Sequence, residues 1–224
     1  MVRKRVSESL TKRTASSRYC PDEIELWAAQ ESVFPILGVD EAGRGPLAGP
    51  VTAAAVMLPR DHRLVGLWDS KLLTESKREL LFDQIRDVAL GYGVFSVSAA
   101  AIDQQGILPS TFEAMRQSIW KAIESGEEPE LVVVDGNLPI PDFERAQRAV
   151  VKGDRRSQNI AAASVLAKVT RDRWMIEMSE KWPEYGFSRH KGYGTKAHLA
   201  AIAEYGPCPI HRQTFRGVSP GSPA

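Results

Sequence analysis

Cysteine is nearly absent from this chain, which has two in 224 residues, Cys20 and Cys208. Each lies beside proline, and neither has CxxC or zinc-ligand spacing, which excludes a disulfide framework and a zinc finger. Two unpaired, reduced thiols fit the cytoplasm. Histidine is also sparse, with four residues scattered along the sequence, so no zinc site is expected. No apolar run approaches the ~20 residues needed to cross a bilayer, and the apolar core of a secretory signal is missing. Charge of one sign is lacking too. The formal net charge is only +1, so a nucleic-acid partner requires basic residues clustered on one face. With 43% hydrophobic and 25% charged residues, the composition is that of one ordinary soluble domain without internal repeats.

The two ends differ from the middle. Residues 1–19 carry Arg3, Lys4, Arg5, Lys12, Arg13 and Arg18 against Glu8 alone, among many serines and threonines. They read as a flexible basic arm that is a solvated tail, a non-specific DNA contact or a mitochondrial-type leader. Residues 217–224 are Gly/Pro/Ser-rich and read as a disordered tail. Between them, strands are expected at Phe34–Val39, Val51–Leu58, Tyr92–Val97, Leu131–Asp135 and from Ala149. Helices are expected at 74–90 with Thr74 as N-cap, at 110–125 with a Ser110/Glu113 capping box, at about 157–182, and near 196–205. Paired strands followed by alternating strands and helices predict an α/β fold, a mixed sheet flanked by helices.

What the middle has in abundance is carboxylates at strand ends. An apolar run delivers Asp40 and Glu41 into the turn Gly43-Arg44-Gly45-Pro46-Leu47-Ala48-Gly49-Pro50. Adjacent strand residues point to opposite faces, so both reach one cluster only if the strand ends there and bends. Glycine supplies the bend and lets backbone N–H groups approach a phosphate or sugar, with Arg44 adding fork-shaped donors. Leu131–Val134 ends in Asp135-Gly136, and Ala149–Val151 leads through Lys152-Gly153 to Asp154. Ligand sites in open α/β sheets lie at the carboxyl ends of strands. Four converging carboxylates repel unless cations sit among them, and hard oxygen donors suit Mg²⁺ or Mn²⁺. Asp172 competes with Asp154 as the fourth ligand. It lies deep in the long helix, one turn after Lys168, and reads as that lysine's ion-pair partner. Ser157 or Asn159 is expected to cap this helix, leaving N–H groups to help hold a phosphate. The small residues from Ile160 to Ser164 read as close packing on the sheet. Tyr193, in the glycine-flanked basic loop Lys191-Gly192-Tyr193-Gly194, reads as a stacking platform. Lys71, Lys168, Lys191 and Arg212 are candidate phosphate contacts. The same residues admit a phosphate-binding module, which lacks the Lys-[Ser/Thr] of a P-loop, or a non-catalytic nucleic-acid binder, which leaves the carboxylates unexplained.

From Ile36 to Phe215 the sequence resembles the type 2 ribonucleases H (ribonuclease HII). The resemblance rests on Gly38 to Val51, Asp69-Ser70-Lys71-Leu72, Val134-Asp135-Gly136, Lys152-Gly153-Asp154, Ile160 to Asp172, Arg189 to Thr195 and His211-Arg212. It implies a ribonuclease H-like fold with a small C-terminal helical extension, a catalytic domain over 20–216. Asp40, Glu41, Asp135 and Asp154 match the family's catalytic metal ligands. Gly43, Arg44 and Gly45 match the turn that reads a ribonucleotide 2′-hydroxyl, and Tyr193 matches an aromatic that stacks on the sugar beside the cleaved bond. The implied activity is two-metal, Mg²⁺- or Mn²⁺-dependent cleavage of the RNA strand of RNA–DNA hybrids. Nicking 5′ to single ribonucleotides in duplex DNA, with 3′-hydroxyl and 5′-phosphate ends, is implied with it. A cytoplasmic monomer is expected. One departure is Leu72, where the family more often has a second lysine after Lys71.

Overall fold

A computed structural model describes residues 22–67 and 73–218. The arm 1–19, Cys20, the Asp69–Leu72 block with Lys71, and the tail from 219 lie outside the described residues.

Runs of small and β-branched residues make the central strands. Ile36–Ala42 (β1), Val51–Met57 (β2) and Gly91–Val97 (β3) form an antiparallel meander. Leu131–Asp135 (β4) and Gln147–Val150 (β5) then add parallel strands on the other side of β1, in the order β3-β2-β1-β4-β5. β2 is buried along its whole length, which only helices on both faces allow. Ile107–Glu124 (α4) covers one face, packing Ala114, Ile119 and Ala122 on Leu37, Val39, Ala53 and Val132. Glu75–Val88 (α2) and the 24-residue Gln158–Lys181 (α5) cover the other. The expected close packing of the alanine run is present: Ala161, Ala162 and Ala163 are fully buried in this second core.

Thr74 caps α2 and Ser157 caps α5 as expected, their side chains accepting from the N–H of Lys77 and Ile160. The Ser110 capping box does not form. An unanticipated helix, Ala99–Gln105 (α3), ends at Gly106, and α4 starts directly at Ile107. Pro109 falls in the first turn of α4, where its missing N–H costs nothing. Ser110 is buried inside the helix and its hydroxyl accepts from Gln105.

A second unanticipated helix, Glu23–Gln30 (α1), packs Ile24 and Ala28 against Ile36, Val133 and Ile160. The C-terminal extension comprises Phe187–His190 (α6) and Lys196–Tyr205 (α7), capped by Thr195. Its core joins Leu47 and Met175 to Phe187, Ile202 and Cys208. Val218, which the sequence reading put in the tail, is buried in this cluster, so packing runs to at least that residue. Among the described residues no helix is long and apolar enough to cross a membrane.

Candidate active site

The strand register brings two of the carboxylates, Asp40 and Asp135, side by side. β1 and β4 run parallel with Val39 opposite Val134, so Asp40 and Asp135 occupy the next neighbouring positions. By alternation both share the face covered by α5. β1 does not end at Asp40, contrary to expectation. It keeps antiparallel register with β2 through Ala42, because Ala53 and Ala54 opposite leave its pairing undisturbed, and the bend comes at Gly43. Asp135 accepts a 2.6 Å hydrogen bond from the Gly153 N–H, which docks the short 3₁₀ turn Gly153–Arg155 and its buried Asp154 beside β4.

Asp40 is 6% exposed. Burial above all, then the charges of Glu41 and Asp135, hold its carboxyl well above the usual range, while hydrogen bonds from Ser164 and from the Glu41 N–H act in the other direction. The Glu41 contact is 2.7 Å. A carboxylate crowded by two others in a desolvated site is one that a cation would relieve.

Beside it lies a groove of about 250 Å³, lined by Glu41, Gly43, Arg44, Gly45, Lys168 and Tyr193, with Ser164 and Arg171 at its base. Arg44 is half-exposed and donates to Glu41 at 3.3 Å. The ring of Tyr193 is 48% exposed and stands across from Gly45. Glycine at 43 is demanded by the fold: its φ is +96°, and a Cβ there would lie 2.1 Å from Arg171 Nε.

A family model for ribonuclease HII matches residues 37–218. The chain is 49% identical over 201 residues to ribonuclease HII of Geobacter metallireducens, covering 88% of this chain and 92% of that one. It belongs to the ribonuclease HII family. Ribonuclease HII of Endomicrobium trichonymphae is 48% identical over 186 residues, covering 83% of this chain and 87% of the relative. Among solved structures, ribonuclease H2 of Pyrococcus horikoshii superposes with a TM-score of 0.69 at 27% identity, covering 83% and 95% of the two chains. The mixed five-stranded sheet is therefore a ribonuclease H fold. The protein is a hydrolytic endonuclease of the ribonuclease H type, acting on RNA–DNA hybrids with a divalent metal ion.

The residues fit such an ion by donor chemistry. Asp40, Glu41, Asp135 and Asp154 offer only oxygen, which suits Mg²⁺ or Mn²⁺, and Asp40 carries the charge conflict an ion resolves. Among the described residues no three His, Cys, Asp or Glu side chains are gathered closely enough to hold a metal as they stand.

The helix α5 corrects two expectations and keeps a third. Lys168 Nζ donates to Asp172 Oδ1 at 2.8 Å, the expected ion pair. The α5 N-terminus is not open for a phosphate, because Glu25 on α1 accepts from the N–H and side-chain amide of Asn159 and from the Ser157 hydroxyl. A carboxylate already holds that anion site. Ser164 reads as packing in the sequence but hydrogen-bonds Asp40. Arg212, expected as a phosphate contact, is 0% exposed, and its three guanidinium nitrogens each donate to backbone carbonyls of the turn. Lys191 does not line the groove, and its ammonium donates to the Ser188 carbonyl. Arg171, which the sequence did not single out because an arginine inside a helix gives no sign of being buried, lies buried against the groove.

Three of the four histidines, scattered in sequence, gather in space. His198 Nδ1–H donates to the Tyr193 carbonyl at 2.9 Å, and its Nε2 lies 3.0 Å from His211 Nε2. His211 Nδ1 in turn accepts from the Cys208 N–H at 2.9 Å. Each link fixes a neutral tautomer. Burial first, then the neighbouring histidines, hold His198 down to about 4. The folded protein thus refuses a proton that the unfolded chain accepts below about 6.5. Stability is complete above that pH and falls by about 1.4 kcal/mol per pH unit as pH drops toward 4. Urea unfolding is expected to be about 2 kcal/mol weaker at pH 5 than at 7.5 from this residue alone, and His198→Gln should flatten the slope.

Proposed function

We propose that this ribonuclease HII also nicks duplex DNA on the 5′ side of single embedded ribonucleotides, leaving 3′-hydroxyl and 5′-phosphate ends. The observation that carries the reading is the adjacency of two things. One is the crowded carboxylates at the end of β1 and β4. The other is the groove in which Gly43, Arg44 and Gly45 face Tyr193. The 2′-hydroxyl is the group that distinguishes RNA from DNA, and a glycine turn admits it to the backbone.

Asp40, Glu41, Asp135 and Asp154 are the residues that would hold divalent ions. When bound, such ions supply a nucleophile from water at neutral pH and stabilise the charge on the leaving 3′-oxygen. Arg44 restrains Glu41 through their ion pair and presents its remaining donors toward a phosphate. Tyr193 stacks on the deoxyribose that follows the cleaved bond, and Lys168 and Lys191 add positive charge along the strand. Lys71 contributes a further phosphate contact in this reading. The protein acts as a cytoplasmic monomer, with a catalytic domain from about residue 20 to at least Val218 and a basic arm that adds sequence-independent affinity.

The test is cleavage of labelled duplex DNA bearing one ribonucleotide, with Mg²⁺, Mn²⁺ or EDTA, beside an RNA–DNA hybrid and an all-DNA control. A metal-dependent nick 5′ to the ribonucleotide supports the reading. Cleavage of the hybrid alone would restrict the enzyme to continuous RNA and overturn it.

A further inference from the structure

Two buried arginines hold the turn Gly43–Pro50 from beneath. Arg212, on the segment after α7, donates from Nε to the Gly49 carbonyl at 3.0 Å and from Nη1 to Arg44 at 2.9 Å. Its Nη2 reaches the carbonyls of Gly43 at 2.6 Å and Gly49 at 2.9 Å. Arg171, on α5, donates from Nε to Pro50 at 2.9 Å and from Nη2 to Ala48 at 3.0 Å. Its Nη1 reaches the Lys191 carbonyl at 3.0 Å, which ties the turn to the loop bearing Tyr193. The exposures of Arg171 and Arg212 are 1% and 0%, and every nitrogen of both guanidiniums donates to a backbone carbonyl.

The consequence follows from peptide planarity. In a trans peptide the C=O and the next residue's N–H point in opposite directions. Carbonyls of Gly43 and Arg44 drawn inward to Arg212 therefore turn the N–H groups of Arg44 and Gly45 outward, toward the groove shared with Tyr193. We infer that Arg212 and Arg171 are positioning residues for ribonucleotide discrimination: they fix which side of the Gly43–Gly45 backbone the substrate meets and hold that backbone in register with Tyr193. The segment carrying Arg212 is pinned by Asp103 on α3, which accepts from the N–H groups of Gln213 and Thr214 and from the Thr214 hydroxyl. Backbone links complete the frame, with Leu47 N–H donating to Gly192 and Arg212 N–H donating to Leu47, both at 2.8 Å.

This inference rests on the groove being where the ribonucleotide binds, and the experiment separates the two. Arg212→Lys and Arg171→Lys are compared with the wild type and with Ile202→Ala, a truncation in the cluster that also holds Leu47 and Ala48, which loosens that core while leaving both guanidiniums in place. Lysine is a point charge and cannot span carbonyls that a fork reaches. In EDTA, affinity is measured for duplex DNA with and without one ribonucleotide, and hydrogen exchange is followed over residues 43–50. Each lysine variant is expected to lower the preference for the ribonucleotide duplex about tenfold, with faster exchange over 43–50 and unchanged affinity for all-DNA duplex. If one variant fails to fold, the other serves. Retained preference and protection in a folded lysine variant overturn the inference, as does an equal loss in I202A. No preference in the wild type overturns the reading of the groove, and this inference with it.

Discussion

Asp40→Asn is expected to lower the rate of hybrid cleavage by about a thousandfold, the equivalent of several kcal/mol of metal-dependent transition-state stabilisation. The folded protein should tolerate the change. The amide oxygen can still accept the 2.7 Å hydrogen bond from the Glu41 N–H, and the substitution removes the charge that Glu41 and Asp135 oppose. Metal-free thermal stability should therefore hold or rise, while the stabilisation that Mn²⁺ or Mg²⁺ confers on the wild type should shrink. Substrate affinity should persist, since the turn and Tyr193 are untouched. A variant that cleaves at near wild-type rates would remove Asp40 from the metal site.

The two glycines flanking Arg44 are expected to behave oppositely. At position 43 a methyl group meets Arg171 Nε at 2.1 Å and the Pro50 carbonyl at 2.6 Å, on a backbone with φ +96°. Gly43→Ala should cost about 3 kcal/mol through left-handed strain and overpacking, seen as a melting temperature lower by about 10 °C. At position 45 the nearest atom to a Cβ is Tyr193 Cε1 at 3.8 Å, so nothing in the protein itself requires glycine. Gly45→Ala should leave stability within about 0.5 kcal/mol and yet weaken binding of the ribonucleotide duplex by about tenfold or more, because the methyl fills space the sugar needs. Thermal melts and affinity measurements on the two variants separate a glycine kept for folding from one kept for substrate. Equal melting temperatures would refute that division.

Much of the sheet was legible from residue type alone. Runs such as Val51–Met57 and Leu131–Val134 have no stable place except buried between helices, and period and caps located α2, α5 and α7 within a residue or two. The ion pair of Lys168 and Asp172 followed from one helical turn of spacing. The acidic strand ends were visible because three apolar runs each lead into a carboxylate beside glycine, a joint pattern that single turn or cap aspartates do not make, and family resemblance joined them into one expected site. Other features depended on contacts between distant segments, which no local pattern encodes. α1 closes the N-terminus of α5 across more than 130 residues through Glu25, so an apparently open anion site is already filled. His198 and His211, which looked unrelated, became a hydrogen-bonded pair only when α7 and the following segment packed on Phe187. Arg171 and Arg212 have the sequence appearance of surface cations. Burial inverts their role, because a desolvated guanidinium must spend its donors on the protein, and here it spends them on the backbone of the turn that lines the groove. The sequence by itself determined which strands end in carboxylates and where the glycine turn between them falls. The tertiary structure decided which cations face solvent and which side of the turn faces out, because both depend on desolvation by residues far away in the chain.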